Sequence, residues 1–150
     1  MVSFGRRVGR ERGSAILEVA LTLPLVLLVS VAIFEFGRAF QTWQVLTNAA
    51  REGARVAVLP GDDAGQAEQR VRDYMQAGQL QDFDAAGVVV DPGGSIEMGA
   101  GTASASVVTV TYPFTFIVLN PIAQLVVGGS DLGAPITITA SAAMRNESPF

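Results

Sequence analysis

The chain contains no cysteine and no histidine. The first absence removes disulfide frameworks and thiolate metal sites. The second leaves carboxylates alone for general base chemistry near neutral pH and for most metal sites, with no imidazole to activate a serine. Lysine is absent too, so all ten basic residues are arginine and no phosphate loop can be completed. Charged residues make up 16% of the 150 residues and apolar ones 49%, a balance that argues against disorder of the whole chain and for one domain with an appended segment.

The charge is unevenly spread. Residues 1–13 hold four arginines against Glu11, a net +3, and the remainder holds six arginines against thirteen acids, a net −7. A basic tip followed directly by an apolar run fits a cytoplasmic flank of a membrane helix. It speaks against nucleic-acid binding, which needs a basic patch on a folded face.

That run, Ala15 to Phe34, is twenty residues long. It can cross a bilayer as one helix and is too long for the core of a secretory signal. Ala15, Leu17, Val19, Leu23, Leu27 and Phe34 supply its apolar surface, and Pro24 is tolerable in a membrane helix. Glu18 is the exception. A carboxylate so placed is costly in hydrocarbon and calls for a function or for a position at the cytoplasmic headgroups.

The helical period continues beyond the run. Phe36, Phe40, Trp43, Leu46, Ala50, Ala54 and Ala57 recur in steps of three and four, and Pro60-Gly61 ends the pattern. One helix over Ser14 to Leu59 would be roughly 70 Å long. Phe40 and Trp43 either mark the membrane interface or pack beneath a sheet. Packing is preferred, because Trp43 lies nine residues past Phe34. Ala49, Ala50, Gly53, Ala54 and Ala57 allow close approach of another element, most simply the chain's own sheet. A second amphipathic helix is predicted from Asp63 to Ala77, with Asp63 and Gln66 as a capping box and Gly78 as its stop.

The period then changes to two. Val88 to Val90 runs into Asp91-Pro92-Gly93-Gly94, a turn signal, and Ser95 to Met98 resumes as a strand. Gly99 and Gly101 bracket a further turn. Val108, Val110, Tyr112, Phe114 and Phe116 alternate with Thr109, Thr111, Pro113 and Thr115 in a strand predicted over Thr102 to Phe116. Pro113 points to an edge or a bulge. A short helix beginning at Pro121 and closed by Gly128-Gly129 leads to a last strand from Ile136 to about Arg145. The expected fold is α+β: a long N-terminal helix, half transmembrane and half amphipathic, packed on three or four antiparallel strands.

Glycine, four residues, then glutamate at the head of an apolar helix is a motif in itself. It reads Gly13-Ser14-Ala15-Ile16-Leu17-Glu18 here. This resembles the processing motif of type IV pilin-like proteins. With Leu23-Pro24, Glu35-Phe36-Gly37 and the block Asn48-Ala49-Ala50-Arg51-Glu52-Gly53-Ala54-Arg55, the stretch from Arg12 to Ala57 resembles the TadE-like family of bacterial tight-adherence pilus systems. Met144-Arg145 and Glu147 are loosely similar to family C-termini, and Ala64 to Gly133 carries no family motif.

The resemblance implies a pilin-like fold and cleavage after Gly13 by a membrane prepilin peptidase, with Ser14 as the new, methylated N-terminus. Ser14 stands where many pilins have an aromatic residue. Glu18, fifth from Ser14, would pair with an N-terminal amine during assembly. The implied layout is a basic cytoplasmic leader over 1–13, a transmembrane half-helix over 14–34 and an extracytoplasmic module over 35–150. The implied partners are cytoplasmic-membrane lipid, other pilin-like subunits, the assembly platform and the peptidase, with no cofactor and no enzyme activity.

The implied role is that of a minor pilin or pseudopilin in pilus biogenesis, adhesion or secretion. The rival readings are a permanently tethered scaffold or binding domain, and an anchored enzyme. An enzyme would have to draw on Asp82, Asp84, Asp91, Glu97 and Asp131, which sit in loops and turns where solvated carboxylates are usual. Asp82 and Asp84 without a glycine-rich ligand loop are a weak calcium signal. Asn146-Glu147-Ser148 has the form of a glycosylation sequon and is read as chance.

Overall fold

The computed structural model describes residues 8–59, 64–99, 101–126 and 133–146. Helix α1 (Val8–Ala57) is followed by α2 (Ala64–Ala77), a single 3-10 turn at Phe83–Ala85, strands β1 (Gly87–Met98) and β2 (Gly101–Phe114), helix α3 (Leu119–Val126) and strand β3 (Ile136–Arg145). The sheet is antiparallel in the order β1-β2-β3. It packs on the outer half of α1, and α2 lies against both α1 and β1.

The helix is already formed at Val8, ahead of the expected start at Ser14, so residues 8–13 of the basic leader are helical. At 50 residues it is about 75 Å long. Its C-terminal end is tied down by Ser106, whose Oγ lies 3.1 Å from the Ala57 carbonyl. Pro60-Gly61, the predicted terminator, and Asp63, the predicted cap, lie outside the described residues. So do Gly128-Gly129 and Asp131.

The core forms where α1 is lined by small residues. Leu46, Ala49, Ala50 and Ala54 of α1 meet Val71 and Met75 of α2 and Val108, Val110, Tyr112 and Phe114 of β2. The strand alternation is therefore the predicted one. The helix face is the predicted one from Leu46 through Ala50 and Ala54, and departs from it only below Leu46. Its inward line below Leu46 runs through Thr42 and Glu35, both buried. Phe36, Phe40 and Trp43 stay outside at 61%, 59% and 42% exposure, with the Phe40 and Trp43 rings in tilted contact, 5.8 Å between their centres. The preferred packing role for Phe40 and Trp43 is thus corrected. The sheet presses against the helix where alanines and a glycine permit close approach, and the aromatics fall on another face.

Asp91-Pro92-Gly93-Gly94 does not reverse the chain. It is a bulge inside one long strand: Pro92 and Gly93 stand opposite the single residue Ser106. Asp91 Oδ1 accepts the Gly93 N–H at 3.0 Å, so the local turn is satisfied by its own side chain while β2 pairs on both sides of it. Gly94 sits against Val107, where a Cβ would come within 2.6 Å of a methyl group. The chain reversal is instead at Gly99, with φ +61°, so the sheet has three strands.

Pro113 lies in the central strand rather than on an edge or at a bulge. It is tolerated because β1 ends opposite Thr111, leaving Pro113 paired only with Thr137 of β3. The stop of α2 is also displaced by one residue. Leu80 N–H bonds to Met75 C=O and Gln79 N–H to Gln76 C=O, so the left-handed position is Gln79, φ 58°. Gly78 is needed for space, since a Cβ there would lie 2.5 Å from a Val45 methyl.

Candidate functional site

Gly13, Ser14, Ala15 and Glu18 all lie exposed on the first turns of α1. The apolar run after them is uncovered as well: Leu17, Val19, Leu23, Leu27 and Phe34 are exposed along with their neighbours. Among the described residues this is the one helix long and apolar enough to cross a membrane, and none of its most apolar window is buried against the module. A core helix of a soluble protein would be covered. The hydroxyls within the run are also made compatible with lipid. Thr22 donates to the Glu18 carbonyl and Ser30 to the Val26 carbonyl, each at 2.8 Å. These features indicate a membrane-anchored protein.

The span ends at a carboxylate that the sequence offered only as part of a matching block. Glu35 is fully buried. Its Oε1 accepts the N–H of Val118 at 2.9 Å and of Ile117 at 3.1 Å, across 83 and 82 residues of chain. Its Oε2 meets Arg38 Nη1 at 2.9 Å. Arg38 in turn lies over the Phe114 ring, 5.1 Å from its centre. Val118 accepts the first turn bond of α3 from Ile122. Glu35 therefore caps the entry to α3 from another helix and fastens the β2–α3 connection to the membrane end of the module. The available signal was a lone carboxylate three residues before an arginine at the end of an apolar run. Its backbone partners were not visible in the sequence.

The rest of the block separates by direction. Ala50 and Gly53 are buried, and a Cβ on Gly53 would lie 2.4 Å from a Val71 methyl, so this glycine sets the α1–α2 approach. Glu52 reaches Arg70 of α2 at 3.5 Å. Gly37, Arg51 and Arg55 face outward, and Asn48 is half-buried.

Beside the Glu35–Arg38 pair runs an open groove of about 590 Å³, lined in part by Arg38, Thr42, Leu80, Asp82, Asp84 and Tyr112. The Tyr112 hydroxyl donates to the Gln81 carbonyl. Burial, reinforced by the Asp82 charge and opposed by Arg38, pushes its pKa above the usual phenolic value. Asp91 is engaged by the bulge and Glu97 pairs with Thr102 within the sheet. Among the described residues no three His, Cys, Asp or Glu side chains are grouped to hold a metal ion.

Asn146, the sequon asparagine, is committed internally. Its Nδ2 donates to Pro92 C=O at 3.1 Å and to Ser104 Oγ at 2.9 Å, and its Oδ1 lies 2.7 Å from Ser106 Oγ. Glu147, Ser148 and Pro149 lie outside the described residues.

The model of a family described as TadE-like protein matches residues 13–55, the span of α1 from the glycine of the cleavage-like motif to Arg55. No curated protein and no solved structure matches the chain.

Proposed function

We propose that this chain, whose long helix is a TadE-like segment tied to tight-adherence pili, acts as a minor pilin or pseudopilin. It waits in the bacterial cytoplasmic membrane with its basic end in the cytoplasm and its module outside. A prepilin peptidase cuts between Gly13 and Ser14. The freed helix then enters an assembly through its apolar surface, and the work is done by packing rather than catalysis.

One observation carries this reading: the apolar helix is uncovered along its length and interrupted by a single exposed carboxylate, Glu18, five residues after Gly13. Lipid covers such a surface in the membrane, and neighbouring pilin-like helices cover it in a fibre. In either setting a charge needs a partner. A free amine at Ser14 of an adjoining subunit provides one and sets the axial register.

A second reading is a permanently tethered scaffold or binding domain. It is favoured by the unbroken course of α1 from Val8 through the Gly13–Ser14 bond, since a bond inside a helix must unwind before a protease can act on it.

The test is Glu18→Ala in the native host, followed in membranes and in sheared surface material. The pilin reading expects normal membrane levels with loss of this subunit, or of pili, from the sheared fraction. Sheared material unchanged in subunit content and amount would remove the register role of Glu18.

A further inference from the structure

We propose that the module does not stand clear of the bilayer on a stalk but is seated on it. Phe36, Phe40 and Trp43 of α1, joined by Ile117 from the β2–α3 connection, form a collar at the boundary between headgroups and acyl chains of the outer leaflet. This rests on the membrane-spanning reading of α1.

The collar is continuous with the apolar span. Between Glu18 and Glu52 the helix carries one acid, Glu35, and that acid is buried by the module itself. The only arginine between Glu18 and Arg51 is Arg38, which is paired to Glu35. The apolar surface open to the surroundings therefore does not stop at Phe34. It continues as a stripe through Phe36 and Phe40 to Trp43, with exposed Gln41 beside it on the groove side, before Gln44, Thr47 and Asn48 take over.

The lengths agree. Hydrocarbon beginning at Val19 requires about twenty residues for ~30 Å and ends near Arg38. Trp43 then lies about 7 Å further out, within the headgroup layer where tryptophan rings concentrate. Ile117 is far away in sequence but is held at the level of Glu35 by the bond to its N–H, and it is 61% exposed. Phe116 beside it packs edge-on against Phe36, with 6.3 Å between ring centres. Two distant segments thus present bare apolar side chains at one height, and Glu35 fixes that height.

Trp43 is the chain's single tryptophan, so the intact protein reports its own depth. The full chain is reconstituted in phosphatidylcholine–phosphatidylglycerol vesicles at high lipid excess, floated, and measured by fluorescence. Expected are blue-shifted emission, quenching at least threefold weaker by acrylamide than for N-acetyltryptophanamide, and stronger quenching by lipids brominated near the headgroup than at mid-chain. In a Trp43→Phe, Ile117→Trp variant, the new tryptophan should give the same order.

Flotation with water-like emission from Trp43 overturns the collar and leaves the span intact. Flotation with lipid-quenched Trp43 but water-like Ile117→Trp confines the contact to the helix and overturns seating of the module. Shielding from both acrylamide and bromolipid assigns the stripe to another helix and also overturns the proposal. Failure to float removes the spanning reading itself.

Discussion

Replacing Glu35 tests whether one carboxylate couples the membrane helix to the module. Glu35→Ala removes the acceptor for the N–H groups of Ile117 and Val118 and the partner of Arg38. A buried donor left without a partner costs about 1–3 kcal/mol. Ile117 is exposed and Val118 half-buried at the headgroup boundary, where lipid carbonyls and interfacial water reach both amides once the loop loosens, so the lower end of that range applies to each. Arg38 is 30% exposed in its side chain and can be rehydrated, so its contribution is discounted as for a surface pair. The net cost is about 2–4 kcal/mol, and about 1–2 kcal/mol for Glu35→Gln, which keeps one oxygen for the amides. Amide hydrogen exchange on the full chain in detergent micelles is the direct assay. A loss of 2 kcal/mol in local stability speeds exchange about thirtyfold, and the acceleration should centre on Ile117 and Val118. Wild-type exchange rates at both amides in Glu35→Ala, with an unchanged denaturation midpoint, would refute the coupling.

Gln79→Gly relieves a left-handed residue at the end of α2 and should stabilise the protein by about 0.5–1 kcal/mol, read as a higher denaturant midpoint at unchanged slope. Gly53→Ala should destabilise by about 1–3 kcal/mol despite better helix propensity, because Val71 is buried and its methyl lies 2.4 Å from the new Cβ. Combined with Val71→Ala it should cost less than the sum of the two changes, as a double-mutant cycle will show. Tyr112 holds its proton more tightly in the folded state than in the unfolded one. Its contribution is therefore complete below the unfolded phenolic pKa of about 10 and is lost as pH rises through the higher folded value. Tyr112→Phe should remove this alkaline fall in stability and its component of the ultraviolet phenolate titration.

The long helix and the alternation of β2 were legible because each depends on local period alone. Val108, Val110, Tyr112 and Phe114 face the core as their spacing predicts. The orientation of the lower helix was not legible for a physical reason. Apolar period predicts burial in protein only where the other surroundings are water, whereas near a bilayer Phe36, Phe40 and Trp43 can be exposed to the chain's surroundings and still be apolar. Asp91 to Gly94 carries the chemistry of a reversal, but pairing of β2 on both sides keeps it in the strand as a bulge. Gly78 was read as a left-handed stop when its missing Cβ makes room for Val45. Of the candidate site, the exposed Glu18 and the uncovered span follow from the sequence. The Glu35 cap depends on a contact 82 residues away and had no local trace beyond the nearby arginine.

A pilin-type α1 is released from its leader at Gly13–Ser14, and that release changes the mass of the chain. The most direct measurement is the intact mass of the protein from its native host, with and without the prepilin peptidase. Processing of this kind gives a chain beginning at Ser14 only when the peptidase is present. A chain retaining Arg6 to Gly13 in both strains would contradict it and establish the uncleaved, membrane-tethered form.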